Sequence, residues 1–268
     1  MQLEVIQQTK AVAPSWGFIK EAAYEAFKNH CSGFRWTPLR KSKLLTPPGA
    51  NTKLSKGSVP IYGLTLAPAG SSGYQLCPWR SPECEAACLG ITAGRSRFNA
   101  VRQARINKTL YMIESPYHFF RQLYSELAAA KAKHGPAFAF RSNVLSDIPW
   151  EHIAPEIYWF SWRNYDYTKS FKRCTQLQSS PPRAFTLDLT LSHTGHNWSD
   201  CETYMRSGGK AAVVFRVRRK DPMPQKFRGF KVIDGDQSDF RMQDPSGCIV
   251  GLRAKGGIDT SSPFVLTP

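Results

Sequence analysis

Cys77, Cys84 and Cys88 fall in one stretch, Leu76-Cys-Pro-Trp-Arg-Ser-Pro-Glu-Cys-Glu-Ala-Ala-Cys-Leu89, so three of the chain's seven cysteines share a loop. Thiolates packed this closely, in a chain whose start shows no secretory signal, serve as metal or cluster ligands more often than as disulfide partners. The spacing is C-x6-C-x3-C. Iron–sulfur clusters are held by thiolates on a wrapping loop, and three ligands at short spacing leave one iron open or supplied from a distant residue. Zinc is the competitor, its closed tetrahedral site completed by a histidine or a fourth cysteine, although zinc loops usually carry a C-x2-C knuckle and this loop has none. A third reading makes the three residues small buried hydrophobes. The other cysteines, Cys31, Cys174, Cys201 and Cys248, are scattered, and an odd total argues against a disulfide framework.

Arg95, Arg97, Arg102, Arg105 and Lys108 follow the loop, the last three at intervals that put them on one helical face. Like charges so spaced repel unless an anion lies against them, and phosphate is the natural one. A solvated basic face is the alternative. Arg216, Arg218, Arg219 and Lys220 form a second basic cluster. The whole chain carries 36 Lys and Arg against 20 Asp and Glu, a net charge of +16. That balance favours a polyanionic partner such as nucleic acid over a membrane surface, since no helix joins a Lys/Arg face to a wide apolar one.

Asp234, Asp236 and Asp239 could hold a divalent cation on the turn that Gly235 permits, but their spacing departs from a calcium loop, and an ion-paired turn explains them as well. His193 and His196 flank Gly195 in a polar loop, where histidines are usually solvated or hydrogen-bonded. Trp150, Trp159, Trp162 and Trp198 offer stacking faces for bases or core volume. No nucleophile elbow, phosphate loop or dinucleotide fingerprint is present, which removes the hydrolase, kinase and Rossmann readings.

The elements that must position these residues read as follows. Trp16 to His30 has a helical apolar stripe, and Cys31 to Ser58 reads as a long basic loop carrying Arg35, Arg40, Lys41, Lys43, Lys53 and Lys56. Val59 to Ala67 is a strand, so the cysteine loop hangs from its carboxyl end. Phe98 to Ile113 is helical, and Ser115 with Pro116 caps a second helix to about Lys133 with Phe119, Phe120, Leu123, Tyr124 and Leu127 inside. Beyond Gly135 come short apolar runs ending in polar residues: Ala137 to Asn143, Ile157 to Phe160, Asn164 to Lys169, Ala184 to Ser192, Ala211 to Val217, Phe230 to Asp234 and Cys248 to Leu252. Near-continuous apolar runs suit a buried parallel sheet, with Ser199 to Gly208 as one crossover helix. The expected class is α/β, with 1–58 an N-terminal helix and basic loop, 59–256 the main domain and 257–268 a tail. Ligands of such a sheet bind outside the carboxyl ends of its strands. The expected pocket therefore draws on Arg141, Asn143, Ser146, Asp147, Tyr167, Thr168, Lys169, His193, Asp234 and Asp236, beside the cysteines. No segment approaches the roughly 18 uncharged apolar residues of a membrane span, so the chain is expected to be soluble and cytoplasmic.

The cysteine loop, together with Phe140-Arg-Ser-Asn-Val-Leu-Ser-Asp-Ile-Pro-Trp150, Asn164-Tyr-Asp-Tyr-Thr-Lys169 and Val232-Ile-Asp-Gly-Asp236, resembles a group of bacteriophage and prophage proteins similar to the phage gene product 88 family. The resemblance runs over about residues 51 to 256. It implies a phage or mobile-element origin and a partial (β/α) barrel of mostly parallel strands, related to radical S-adenosylmethionine enzymes. It also implies a [4Fe-4S] cluster on Cys77, Cys84 and Cys88, with Ser146, Asp147, Tyr167, Thr168 and Lys169 lining the same mouth. Radical enzymes mostly use C-x3-C-x2-C, and a glycine-rich segment for the methionine moiety is missing after the second strand. The expected function is a phage-derived iron–sulfur protein that engages nucleic acid or a nucleotide beside the cluster, with S-adenosylmethionine at the open iron if it is an enzyme. The rivals are a nucleic-acid-binding protein with a structural zinc or iron–sulfur loop, and a protein directed at an acidic host factor.

Overall fold

The computed structural model describes residues 11–39, 42–50, 59–92, 94–255 and 257–268. Met1 to Lys10, Arg40, Lys41, Lys53, Lys56 and the side chain of Arg95 lie outside the described residues. In chain order the elements are α1 (Trp16–Cys31), β1 (Leu45–Thr46), β2 (Ile61–Leu64), α2 (Pro82–Ala86), α3 (Leu89–Thr92), α4 (Asn99–Glu114), α5 (Pro116–His134), β3 (Ala139–Arg141) and α6 (Trp150–Ile153). They continue with β4 (Arg163–Thr168), α7 (Phe171–Ser179), β5 (Asp188–Ser192), α8 (Trp198–Arg206), β6 (Lys210–Phe215), β7 (Lys226–Phe227), β8 (Phe230–Asp234), β9 (Ile249–Arg253) and β10 (Val265–Leu266).

The strands form one mixed sheet in the order β1-β2-β3-β4-β5-β6-β9-β8-β7, with β10 added alongside β6. Every pairing from β2 to β8 is parallel, as is β10 on β6, while β1 and β7 pair antiparallel at the two ends. Among the described residues no pairing joins β7 to β1, so the α/β class and mostly parallel sheet stand without a closed barrel. The near-continuous apolar run of β6 is buried at five of its six positions, as a strand covered on both faces must be.

Helices and the crossings after β3 cover one face of the sheet. There α5 buries Phe119, Phe120, Leu123, Tyr124 and Leu127, and α1 lies against it, with the Tyr124 hydroxyl donating to the Ala23 carbonyl at 3.2 Å. Pro116 opens α5 with a φ suited to the first turn, and Gly135 at φ +68° lets the chain leave it. The expected cap is not used at Ser115, whose side chain makes no capping bond; its carbonyl accepts from the Phe119 N–H instead. On the opposite face, Phe240 packs with Ile61, Ala139 and Tyr165, so the segment between β8 and β9 covers that side.

Two expected elements differ. Ile157 to Phe160 is not a strand: Pro155 sits in the first turn of a short 3₁₀ helix, Pro155–Tyr158, and its fixed φ favours the turn over extension. The Cys31–Ser58 stretch is not all loop, because Leu45–Thr46 pairs with Gly63–Leu64 while the Glu126 carboxylate accepts the Leu44 and Leu45 N–H groups at 2.9 Å. The stretch read as a tail supplies β10.

Candidate thiol and lysine site at the strand ends

The cysteine loop is built by local rules. Ser81 caps α2, its hydroxyl accepting the Cys84 N–H at 3.1 Å, with Pro82 in the first turn; the capped turn fixes where Cys84 stands. The same hydroxyl donates to the Thr194 carbonyl at 2.8 Å, and Glu83 bonds His196 at 3.1 Å, so α2 leans over the end of β5. Cys77 is anchored beneath, its sulfur accepting from the Ala69 N–H at 3.4 Å and donating to the Leu145 carbonyl at 3.6 Å. Trp79 lies over the Arg173 guanidinium, 5.4 Å from its ring centre.

Lys169 follows β4 and joins this group. Burial works against its ammonium, but Asp147 and then Cys84, Cys77 and Cys88 outweigh that and raise its pKa. Reciprocally, burial pushes Cys77 up to about 11 and raises Cys84 and Cys88, while Lys169 pulls all three back. The three thiols and one lysine thus share one electrostatic neighbourhood. Asp147 is its second charge: wholly buried, it lies 4.0 Å from the Lys169 ammonium, accepts the Lys169 N–H at 2.9 Å and accepts from Arg173 at 2.8 Å. Arg173 turns its other edge to Glu151 at 2.7 and 2.8 Å; neither residue stood out in the sequence, and the signal that could have pointed to Arg173 is Ser170, a helix-capping residue type that caps α7 through the Arg173 N–H.

The remaining pocket residues divide by role. Asn143 and Ser146 are buried in the turn after β3, where the Asn143 side chain bonds Ser146, Ile148 and Asp166. Thr168 accepts from Ser170 and Arg173. Arg141 stacks 4.7 Å over the Tyr167 ring and donates to both oxygens of Asp239, tying β3 to the segment between β8 and β9. Asp166, without any exposure, has its pKa raised by burial to about 6 even though Arg141, Ser142 and the Asn143 N–H favour its anion. His193 is 3% exposed, its Nδ1 has no partner among the described residues, and burial followed by the Arg228 charge lowers its pKa to about 4.

Asp234 and Asp236 stand apart, at the end of β8. They form an ion-paired turn with Arg253 at 2.8 and 3.4 Å and Lys255 at 2.5 Å. The basic stripe is drawn inward in part. Arg105 donates to the Gly90 carbonyl and Ser96 hydroxyl, and Lys108 to the Leu44 carbonyl at 2.8 Å, whereas Arg97 and Arg102 are exposed. Trp150 is core, and Trp159 and Trp162 are exposed.

Among the described residues no three His, Cys, Asp or Glu side chains stand close enough to share one metal ion as they are arranged. The donor set still fits a thiolate-held group: all three thiols of one loop act on one ammonium, Cys77 and Cys84 each feel Cys88, and thiolates around a cluster spread wider than those around a single ion.

Fold and site together define an α/β protein whose chemistry-bearing side chains gather at the carboxyl ends of parallel strands. A family model, Gene product 88, matches residues 38–266, and the chain belongs to that phage family. No curated protein and no solved structure matches the chain. Among the described residues no helix is long and apolar enough to cross a membrane.

Proposed function

We propose that this phage protein holds an iron–sulfur cluster on Cys77, Cys84 and Cys88 at the mouth of a radical-enzyme-like partial barrel, and engages nucleic acid or a nucleotide beside it. The observation that carries the reading is the shared neighbourhood of the three thiols with Lys169 and Asp147. A cluster bound there would supply one-electron chemistry. The chain's own residues do the rest. Lys169 offsets thiolate charge, Asp147 pairs with Lys169 and is itself held by Arg173, and Trp79 on Arg173 seats the loop.

Anaerobic purification tests the reading through broad visible absorption that bleaches with dithionite, with iron and sulfide in the protein and loss of both in Cys84→Ser. A colourless anaerobic protein containing zinc would replace it with the structural-zinc alternative. Incubation with S-adenosylmethionine and reductant, watched for 5′-deoxyadenosine, separates an enzyme from a non-enzymatic cluster protein. Binding to nucleic acid should fall steeply with salt, as phosphate contacts require.

A further inference from the structure

Beside the cysteine loop, between α3 with the segment after β2 on one side and the exposed side of α4 on the other, lies a cleft of about 600 Å³. That volume lies within the range of small-molecule sites. Its walls are of two kinds. Pro68, Ile91, Ala100 and Ile106 give an apolar side, Arg102 and Arg105 give two guanidiniums one turn apart, and among the described residues no carboxylate lines it. A site with two positive charges, an apolar wall and no negative group selects an anion with a flat apolar body.

Arg105 is already positioned for one. Its Nη1 is occupied twice, donating to the Gly90 carbonyl at 3.2 Å and to the Ser96 hydroxyl at 2.8 Å. The opposite edge, Nε with Nη2, has no acceptor among the described residues, and that edge is the fork that takes two oxygens of a phosphate side by side. Gly90 holds the carbonyl in place: a Cβ there would lie 2.9 Å from Pro68 Cγ and 3.1 Å from Leu145 Cδ1.

We infer that this cleft binds a nucleotide, its phosphate on the free edge of Arg105 with Arg102 beside it and its base against Pro68, Ile91 and Ile106. The inference rests on the anion-binding half of the function proposed above and not on the metal, so a colourless, metal-free protein that still binds would sink the cluster and leave the cleft.

The test is titration calorimetry of the full chain with AMP, with inorganic phosphate and with a 5′-phosphorylated oligodeoxynucleotide. AMP should bind one to one and at least about tenfold more tightly than phosphate, about 1.4 kcal/mol, because the base adds contact. Ala100→Trp fills the cleft while keeping both arginines and should weaken AMP at least tenfold. Arg105→Lys keeps the charge, loses the fork and should weaken it similarly. Competition between oligonucleotide and AMP would identify the ligand as a strand end, and its absence a free nucleotide. Failure of AMP to bind at low salt, or undiminished AMP binding by a folded Ala100→Trp protein, would overturn the inference.

Discussion

Arg173 donates through Nη1 to Asp147 at 2.8 Å while its Nε and Nη2 grip Glu151, so one buried guanidinium compensates two carboxylates and carries Trp79 on its face. Removing it would leave Glu151 without its counter-charge and Asp147 with Lys169 alone, and would unseat the cysteine loop. Arg173→Ala should cost about 3–5 kcal/mol, the usual loss when one partner of a buried ion pair is deleted. In a chain of this size the melting temperature should fall on the order of 10 °C. Arg173→Lys keeps the charge but not the fork and should fall between, as thermal denaturation of the three proteins would reveal.

Asp166 and His193 give opposite pH slopes in overlapping windows. Asp166 has its folded pKa raised to about 6, so its contribution is greatest below the unfolded value near 4 and is lost as pH rises through 6. His193 has its folded pKa lowered to about 4, so its contribution is present above the unfolded value near 6.5 and is lost as pH falls toward 4. Between pH 4 and 6 the two offset. Denaturant unfolding should therefore show stability relative to wild type rising with pH for Asp166→Asn and falling with pH for His193→Gln, by up to about 3 kcal/mol in each case. Parallel profiles for both variants would contradict these environments.

Gly90→Ala tests the joint between the cysteine loop and α4. The new Cβ meets Pro68 at 2.9 Å and Leu145 at 3.1 and 3.2 Å, so the chain must shift, at a cost of about 1–3 kcal/mol. The Gly90 carbonyl moves with it and the Arg105 guanidinium loses its anchor. AMP affinity should drop several-fold in Gly90→Ala though no cleft arginine has changed, which calorimetry beside a melting curve would detect.

Long, strongly patterned segments were legible. The α5 stripe lies where apolar periodicity puts it, the Phe230–Asp234 strand where a short apolar run ends in a polar residue, and α8 in a segment long enough for a crossover, while the parallel sheet follows from near-continuous runs such as that of β6. Short elements defined by tertiary contacts were not. Leu45–Thr46 becomes a strand only because Glu126 and β2 receive it, and α7 presents only Phe171, Cys174 and Leu177 as an apolar stripe in a polar run. The three-residue spacing of Arg102, Arg105 and Lys108 was visible, but periodicity does not reveal what packs against a face. Gly90 and Leu44 are distant in sequence, and their carbonyls draw two of the three inward. The meeting of Lys169 with the thiols likewise depends on the β5–α8 loop holding α2 in place.

The three thiols should reveal a bound metal through protons. Burial holds Cys77 up at about 11 and raises Cys84 and Cys88, so at neutral pH and without metal all three carry their protons. Only thiolates ligate, and metal uptake must expel whatever the ligands carry. Calorimetric titration near pH 7.5 in buffers of different ionisation enthalpy should count about three protons per centre, and about two in Cys84→Ser. Lys169→Met removes the ammonium that draws the thiol pKa values down, so uptake should weaken and its pH dependence move upward. Alkylation gives an independent reading. Exposed Cys31 should react first in the metal-free protein, and loaded metal should further slow the loop cysteines while leaving Cys31 unchanged. A proton count that Cys84→Ser leaves as it was would remove Cys84 from the ligand set.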